Sequence, residues 1–216
     1  MIKIENIEVM GWEPAIRGMR NPMNSWDKSD SGYGIDGEDE DVYVVGPNDL
    51  DLMKRLAAGG SVHAKYRRMI TVYMDITAPL YWWKEYDTYK IGTVANSCST
   101  MHKIHAKEFV LDDFSHEHLD DMFSQPVLET IVYKLNECRE KFLQHQNKDY
   151  WWQMIQLLPS SYNQKRTVLL NYEVLSHIYH DRKDHKLDEW REFCKMIKSL
   201  PYAQIITLED TNEGHN

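Results

Sequence analysis

Apolar and polar residues alternate over IKIENIEVM, residues 2–10, the period-two pattern of a strand with one buried face. The pattern then dissolves. From Trp12 to Gly46 the chain is broken by Gly, Asn, Ser and Asp and carries the acidic run GIDGEDED, a composition that favours turns, so a long loop over about 20–46 is expected. Pro47-Asn48-Asp49 reads as a helix start with Asn48 or Asp49 as cap. DLDLMKRLAA then places Leu50, Met53, Leu56 and Ala57 on one face until Gly59-Gly60 ends the helix. HAKYRRM follows as a short helix or turn. MITVYMDI, rich in β-branched and aromatic residues on alternating faces, predicts a strand that Pro79 stops. The recurrence of Leu80, Trp83 and Tyr86 predicts a helix over PLYWWKEYDTYKIG, broken by Gly92.

The second half is more helical. VLETIVYKLNECREKFLQHQ carries a stripe of Val127, Ile131, Leu135, Cys138 and Phe142 along one long amphipathic helix. YWWQMIQLLP predicts a second helix ending near Pro159. After the polar turn SSYNQKR, TVLLNYEVLSHIYHDR reads as a strand passing into a helix, and LDEWREFCKMIKSL as a last helix before Pro201. A polar tail is expected from about 207. No internal repeat is visible.

Length and charge narrow the class. A chain of 216 residues with 42% hydrophobic residues can bury one sizeable core, and a single domain over 1–216 is expected. A net charge of −9 argues against a nucleic-acid or anionic-membrane binder, which needs a basic face, but leaves room for a local basic pocket. Cys98, Cys138 and Cys194 are widely spaced, odd in number and show no CxxC pair, so reduced thiols in a cytoplasmic protein are expected. The N-terminus has no leader-like apolar region, and no apolar run is long enough for a membrane span.

Motifs exclude more than they assign. The histidine pairs His102/His105, His116/His118 and His177/His180 lack metal-site context, so no metal is expected. No GxGxxG, GxxxxGK[ST] or GxSxG stretch is present, and no catalytic residue is assigned. What does concentrate between Ser61 and His105 is a set of cations and hydroxyls, Lys65, Arg67, Arg68, Lys84, Lys90, Thr93 and Ser99 among them, interleaved with Tyr81, Trp82, Trp83, Tyr86 and Tyr89. Cations and hydroxyls suit a phosphate and aromatic faces suit a base or flavin ring. The alternative is aromatic core beneath surface charge. Arg17 and Arg20, in the preceding loop, are further ligand candidates.

Two stretches carry a resemblance. ITVYMDITAPLYWWKEYDTYKIGTVANSCS resembles the signature region of the flavin-dependent thymidylate synthases, in which a strand ends in Ala-Pro and a helix leads to an Arg-His-Arg motif and a loop closing on Ser. Ala78-Pro79 and Ile91-Gly92-Thr93 match. LLPSSYNQKRTVLLNYEVLSHIYHDR is similar to the second signature, an Asn opening a twelve-residue run that ends in Arg, met here by Asn171 and Arg182. The resemblance implies a mixed α/β fold with a central, mostly antiparallel sheet flanked by helices, assembled as a homotetramer. It also implies FAD as cofactor, a pyrimidine nucleotide such as dUMP as substrate, and NADPH and methylenetetrahydrofolate as co-substrates. The flavin carries the redox chemistry in such enzymes, so no protein nucleophile is required.

The departures fall in the pocket. Thr88-Tyr89-Lys90 stands where the family has Arg-His-Arg, Met101 or Thr100 where it has an Arg, and His177 where it has a second Asn. His63 is the nearest counterpart of the family's His ahead of the strand. On this resemblance Arg182, Asn96, Ser99, Arg67 and Arg68 are expected to contact the nucleotide. Tyr89, Lys90, Thr93, Asn171, His177 and His63 are expected to contact the cofactor. A binding protein that holds a nucleotide on the same scaffold without flavin is the alternative, because function resides in the site rather than the fold.

Overall fold

The computed structural model of the chain describes residues 1–34 and 42–209. Its fold is mixed α/β, an antiparallel sheet flanked by helices, as the resemblance implied. The sheet has four strands in the order β1 (Lys3–Met10), β4 (Thr71–Pro79), β6 (Asn163–Asn171) and β5 (Val94–Ser97), and a two-stranded ribbon pairs β2 (Gly32–Tyr33) with β3 (Tyr43–Val44). The chain divides into two compact units. One contains Met1–Glu5, Asp75–Thr88 and Ala95–Thr167; the other contains Asn6–Met74, Tyr89–Val94 and Val168–Asn216.

The first unit is built on a helical hairpin, α5 (Ser124–His145) and α6 (Lys148–Leu157). Leu128, Leu135 and Cys138 from α5 and Met154 from α6 close on Ile104, Phe109 and Phe114. Burying one such leucine stabilises by about 1.5–3 kcal/mol, which makes this cluster the unit's main source of cohesion. The expected stripe is off by one position at its start: Val127 is 60% exposed, and Leu128 takes its place inside. α3 (Leu80–Tyr86) is shorter than its periodicity predicted, because Asp87 caps it and Thr88 Oγ1 donates back to the Glu85 carbonyl at 2.7 Å. Its rings are core. Trp82, Trp83 and Tyr86 are buried and pack on one another, Trp82 stacked on Tyr86 at 5.2 Å, and the Arg166 guanidinium covers Trp83 at 4.2 Å. They offer no face to a flavin or base.

The second unit contains a helix that sequence pattern did not show. α1 (Trp12–Arg20) buries Trp12, Ala15, Ile16, Met19 and Arg20, a helical spacing disguised by Pro14 and Gly18. Pro14 sits in the first turn, where it is tolerated, and Gly18 faces Met69, where an added Cβ would lie 3.2 Å from the sulfur. Gly11, at φ 94°, enters the helix over Met69, whose carbonyl oxygen leaves no room for any Cβ. The stretch expected to be loop also contains 3-10 turns at Asn21–Met23 and Trp26–Lys28 and the β2–β3 ribbon; most of the acidic run, 35–41, lies outside the described residues, as does the tail from 210.

The turns are held from α2 (Pro47–Ala58). Asp49 is fully buried and accepts from Arg20 Nε at 2.6 Å, from the Ser29 and Ser31 hydroxyls at 2.7 Å each and from the Asp30 amide at 3.1 Å. In return Asp30 accepts from the Asn48 and Asp49 amides at 2.8 and 3.0 Å. The cap of α2 therefore comes from upstream Asp30 rather than from Asn48 or Asp49. Arg20, read as a ligand candidate, is 5% exposed and belongs to this network.

The C-terminal helices α7 (Tyr172–Arg182), α8 (Asp188–Lys198) and α9 (Gln204–Thr207) complete the unit, with Tyr172, Leu175, Ile178, Trp190, Phe193, Ile205 and Ile206 buried between them. The short α9 falls just before the region expected to be tail. Among the described residues no helix is long and apolar enough to cross a membrane.

Candidate functional site

The spacing from Asn171 to Arg182 is the length of one helix. Asn171 is the N-cap of α7, its Oδ1 accepting from the Val174 amide at 3.0 Å, and Arg182 is the last helical residue. At 1.5 Å of rise per residue the two lie roughly 16 Å apart along the axis, so they serve different parts of any ligand. Gly92, at φ 78°, brings the 89–94 loop onto the cap: a Cβ there would sit 2.9 Å from Asn171 Nδ2. Gly92→Ala is expected to cost about 2–3 kcal/mol, the sum of left-handed strain and a disturbed cap, measured by denaturant unfolding.

Arg182 is mounted rather than free. Its Nε donates to the Tyr89 hydroxyl at 2.9 Å, its Nη1 lies 3.1 Å from His185 Nε2, and its guanidinium lies 4.9 Å from the Trp190 ring centre and 5.7 Å from that of Tyr89. The Tyr89 hydroxyl donates in turn to Asp181 Oδ2 at 3.3 Å. Burial raises the Tyr89 phenol above its ordinary value although the Arg182 bond and charge pull it down, so it is protonated at neutral pH. Thr93 Oγ1 closes the loop on the Tyr89 carbonyl at 2.5 Å. These residues form a stacked guanidinium with a planar, partly exposed donor set, the chemistry that recognises a phosphate or a uracil edge.

The other expected contacts in this unit divide into two kinds. Arg68, Lys90 and His63 are exposed, and their side chains make no hydrogen bond or ion pair among the described residues. His177 is 61% exposed, with Nε2 3.6 Å from Glu173 Oε1. Arg67 is 4% exposed, and its donors are taken by Glu173 at 2.6–2.7 Å, by Ser176 Oγ at 3.1 Å and by the Ile205 carbonyl at 3.1 Å. In this arrangement no donor of Arg67 is left to meet a ligand.

In the first unit, Asn96 lies on the fully exposed strand β5. Ser99 caps α4 (Thr100–Lys103), accepting from the His102 amide at 3.2 Å, with its hydroxyl 2.7 Å from His102 Nδ1. Ser99 also lines a cavity of about 650 Å³ with Cys98, Thr100, Lys103, Tyr162 and Lys165. The loop is pinned to β6: the Cys98 amide donates to the Lys165 carbonyl at 2.9 Å, and Gln164 Nε2 donates to the Cys98 carbonyl at 3.0 Å and to Thr100 Oγ1 at 3.1 Å. Sequence reading missed this far wall because SSYNQKR looks like a turn. No local spacing links it to a loop some sixty residues earlier.

No protein-family model matches the chain, and no curated protein matches it. Its fold is the one found in flavin-dependent thymidylate synthases. The structure of thymidylate synthase X (ThyX) from Helicobacter pylori with FAD and dUMP matches with a TM-score of 0.68 at 17% identity, over 97% of this chain and 98% of that one. A second structure of the H. pylori enzyme complexed with FAD and dUMP gives 0.66 at 18% identity, over 95% and 99%. The UMP/dUMP methylase PolB from Streptomyces cacaoi, bound with 5-Br dUMP, gives 0.56 at 13% identity, over 92% and 89%.

Proposed function

We propose that the protein is a divergent flavin-dependent thymidylate synthase-like enzyme. It methylates a pyrimidine nucleotide such as dUMP, with FAD as cofactor and NADPH and methylenetetrahydrofolate as co-substrates. The observation that supports this most is the stacked Arg182 at the end of the helix that Asn171 opens, in a chain sharing its fold nearly end to end with structures solved with FAD and dUMP. Arg182 holds the base or phosphate, and Asn96, Ser99 and Arg68 bind the rest of the nucleotide. Tyr89 orients Arg182, while Asn171 and Thr93 fix the loop between them. The same reading includes homotetrameric assembly and a cytoplasmic setting.

The residues present fit the charged part of the flavin nucleotide. Lys90 and His63 are exposed and uncommitted, and with His177 they supply donors for a pyrophosphate. Bound flavin would supply the hydride-transfer chemistry; the chain's own residues bind, orient and exclude water. A second reading rests on Tyr89: its phenol is locked between Asp181 and Arg182, and Lys90 cannot form the bidentate fork of an arginine. On that reading the scaffold holds a nucleotide without flavin.

The test is the absorption spectrum of the purified protein after incubation with FAD and desalting, with and without dUMP, paired with melting curves. A retained flavin spectrum that changes with dUMP supports the enzyme. A colourless protein whose melting temperature still rises with dUMP supports the binder. Arg182→Ala is expected to weaken dUMP by roughly 10- to 100-fold, the loss of a charge-assisted bond worth about 1.5–3 kcal/mol. An unchanged melting shift in that variant would remove Arg182 from the site.

A further inference from the structure

The cavity of the first unit contains a thiol that the flavin reading does not use. Cys98 is an exposed free cysteine on the cavity wall, in a loop pinned on both sides by backbone and Gln164 hydrogen bonds. Other features of the same cavity point to a ligand. Asn163, on its wall, has a fully buried side-chain oxygen with no hydrogen-bond partner, a deficit worth about 1–3 kcal/mol that a small rotation toward a ligand donor would relieve. The cavity's cations are unequally committed: Lys107 is paired with Asp113 and Lys165 with Asp75 at 3.0 Å, whereas Lys103 has no ion pair among the described residues. A volume of about 650 Å³ is within the usual range for small-molecule sites.

We propose that Cys98 is a catalytic nucleophile that adds to C6 of a pyrimidine nucleotide bound in this cavity. The proposal rests on the nucleotide reading above and adds a covalent step to it. The thiol gives its proton to water, a sulfur–C6 bond forms, and the C5–C6 pair moves toward C4 to leave an enolate on O4. Tyr162, whose phenol burial keeps protonated, lines the same cavity and can donate to that oxygen. The enolate takes a proton at C5 from solvent. Loss of the original C5 proton restores the enolate, and collapse of the enolate expels the sulfur. The net change is exchange of the C5 hydrogen with solvent and requires no oxidant or reductant. In a methylating turnover the same enolate would meet a one-carbon electrophile instead.

The experiment uses the full-length protein without added reductant, with dUMP in D2O, and follows the C5 proton by NMR while melting curves report binding. Wild type is expected to exchange the C5 proton. Cys98→Ser, at an exposed position, is expected to bind dUMP within about twofold of wild type and to exchange at least 100-fold more slowly. Binding by wild type without exchange, or exchange by Cys98→Ser at the wild-type rate, overturns the proposal and leaves the nucleotide reading standing. If wild type shows no melting shift with dUMP, the nucleotide reading falls and the proposal falls with it.

Discussion

Asp49→Ala is expected to lower the unfolding free energy by about 3–5 kcal/mol, the penalty for leaving a buried charge, here Arg20, without its partner. Asp49 is 0% exposed and Arg20 5%, so neither charge can turn to water. The loss spreads beyond one pair. Ser29 and Ser31 lose their acceptor, and Arg20 also donates to the Ser25 and Lys28 carbonyls at 3.1 and 3.0 Å, so the whole segment from Arg20 to Ser31 is hung from α2 through this carboxylate. Amide hydrogen exchange in residues 21–31 should rise more than in α7 or α8.

The same carboxylate sets an acid limit. Burial pushes the Asp49 acid upward, but the Ser31, Ser29, Arg20 and Asp30 hydrogen bonds outweigh it and hold the group below its ordinary value of 3.8. A depressed value means that the unfolded chain takes up the proton first. The contribution of Asp49 is therefore complete above the ordinary carboxylate range and is lost as the pH falls toward the lowered folded value. Asp49→Asn should flatten the fall in stability between pH 5 and pH 3, roughly the window given by that linkage, relative to wild type. An equally steep acid limb in that variant would assign the acid sensitivity to other carboxylates.

What sequence pattern conveyed and what it concealed follows from the range of the interactions. β4 alternates Val72, Met74, Ile76 and Ala78 inward, and α7 begins at a capping Asn and ends at Arg; both are local signals and both were legible. α1 was hidden because Pro14 and Gly18 read as breakers, whereas Gly18 is there for the approach of Met69, a contact fifty residues away in the chain. Arg20, Arg67 and Trp83 share one lesson: a cation or a ring in a cluster of cations and rings looks like a binding surface until its buried partner is known. The partners are Asp49, Glu173 and Arg166, each distant in sequence. The mounted Arg182 was found from its spacing, but His185 and Trp190, which shape it, follow a turn that no motif spans.

Arg67 also permits a decisive experiment, because a buried ion pair responds differently to losing one member and to losing both. Glu173→Leu leaves the Arg67 guanidinium unpaired, 4% exposed, and is expected to cost about 3–5 kcal/mol. Replacing both, Arg67→Met with Glu173→Leu, removes the desolvation penalty of two charges, a change often neutral or favourable by about 1–4 kcal/mol. Against that gain the Ile205 carbonyl loses its Arg67 donor, while Ser176 keeps its bond to the Ile206 carbonyl at 2.7 Å, so the net is expected to be near zero. The double variant should thus unfold at nearly the wild-type denaturant concentration while Glu173→Leu alone does not. Because the double variant folds, it can be asked about ligand: a dUMP-induced melting shift equal to that of wild type would make Arg67 the clamp between α7 and α9, and loss of the shift would return it to the nucleotide site.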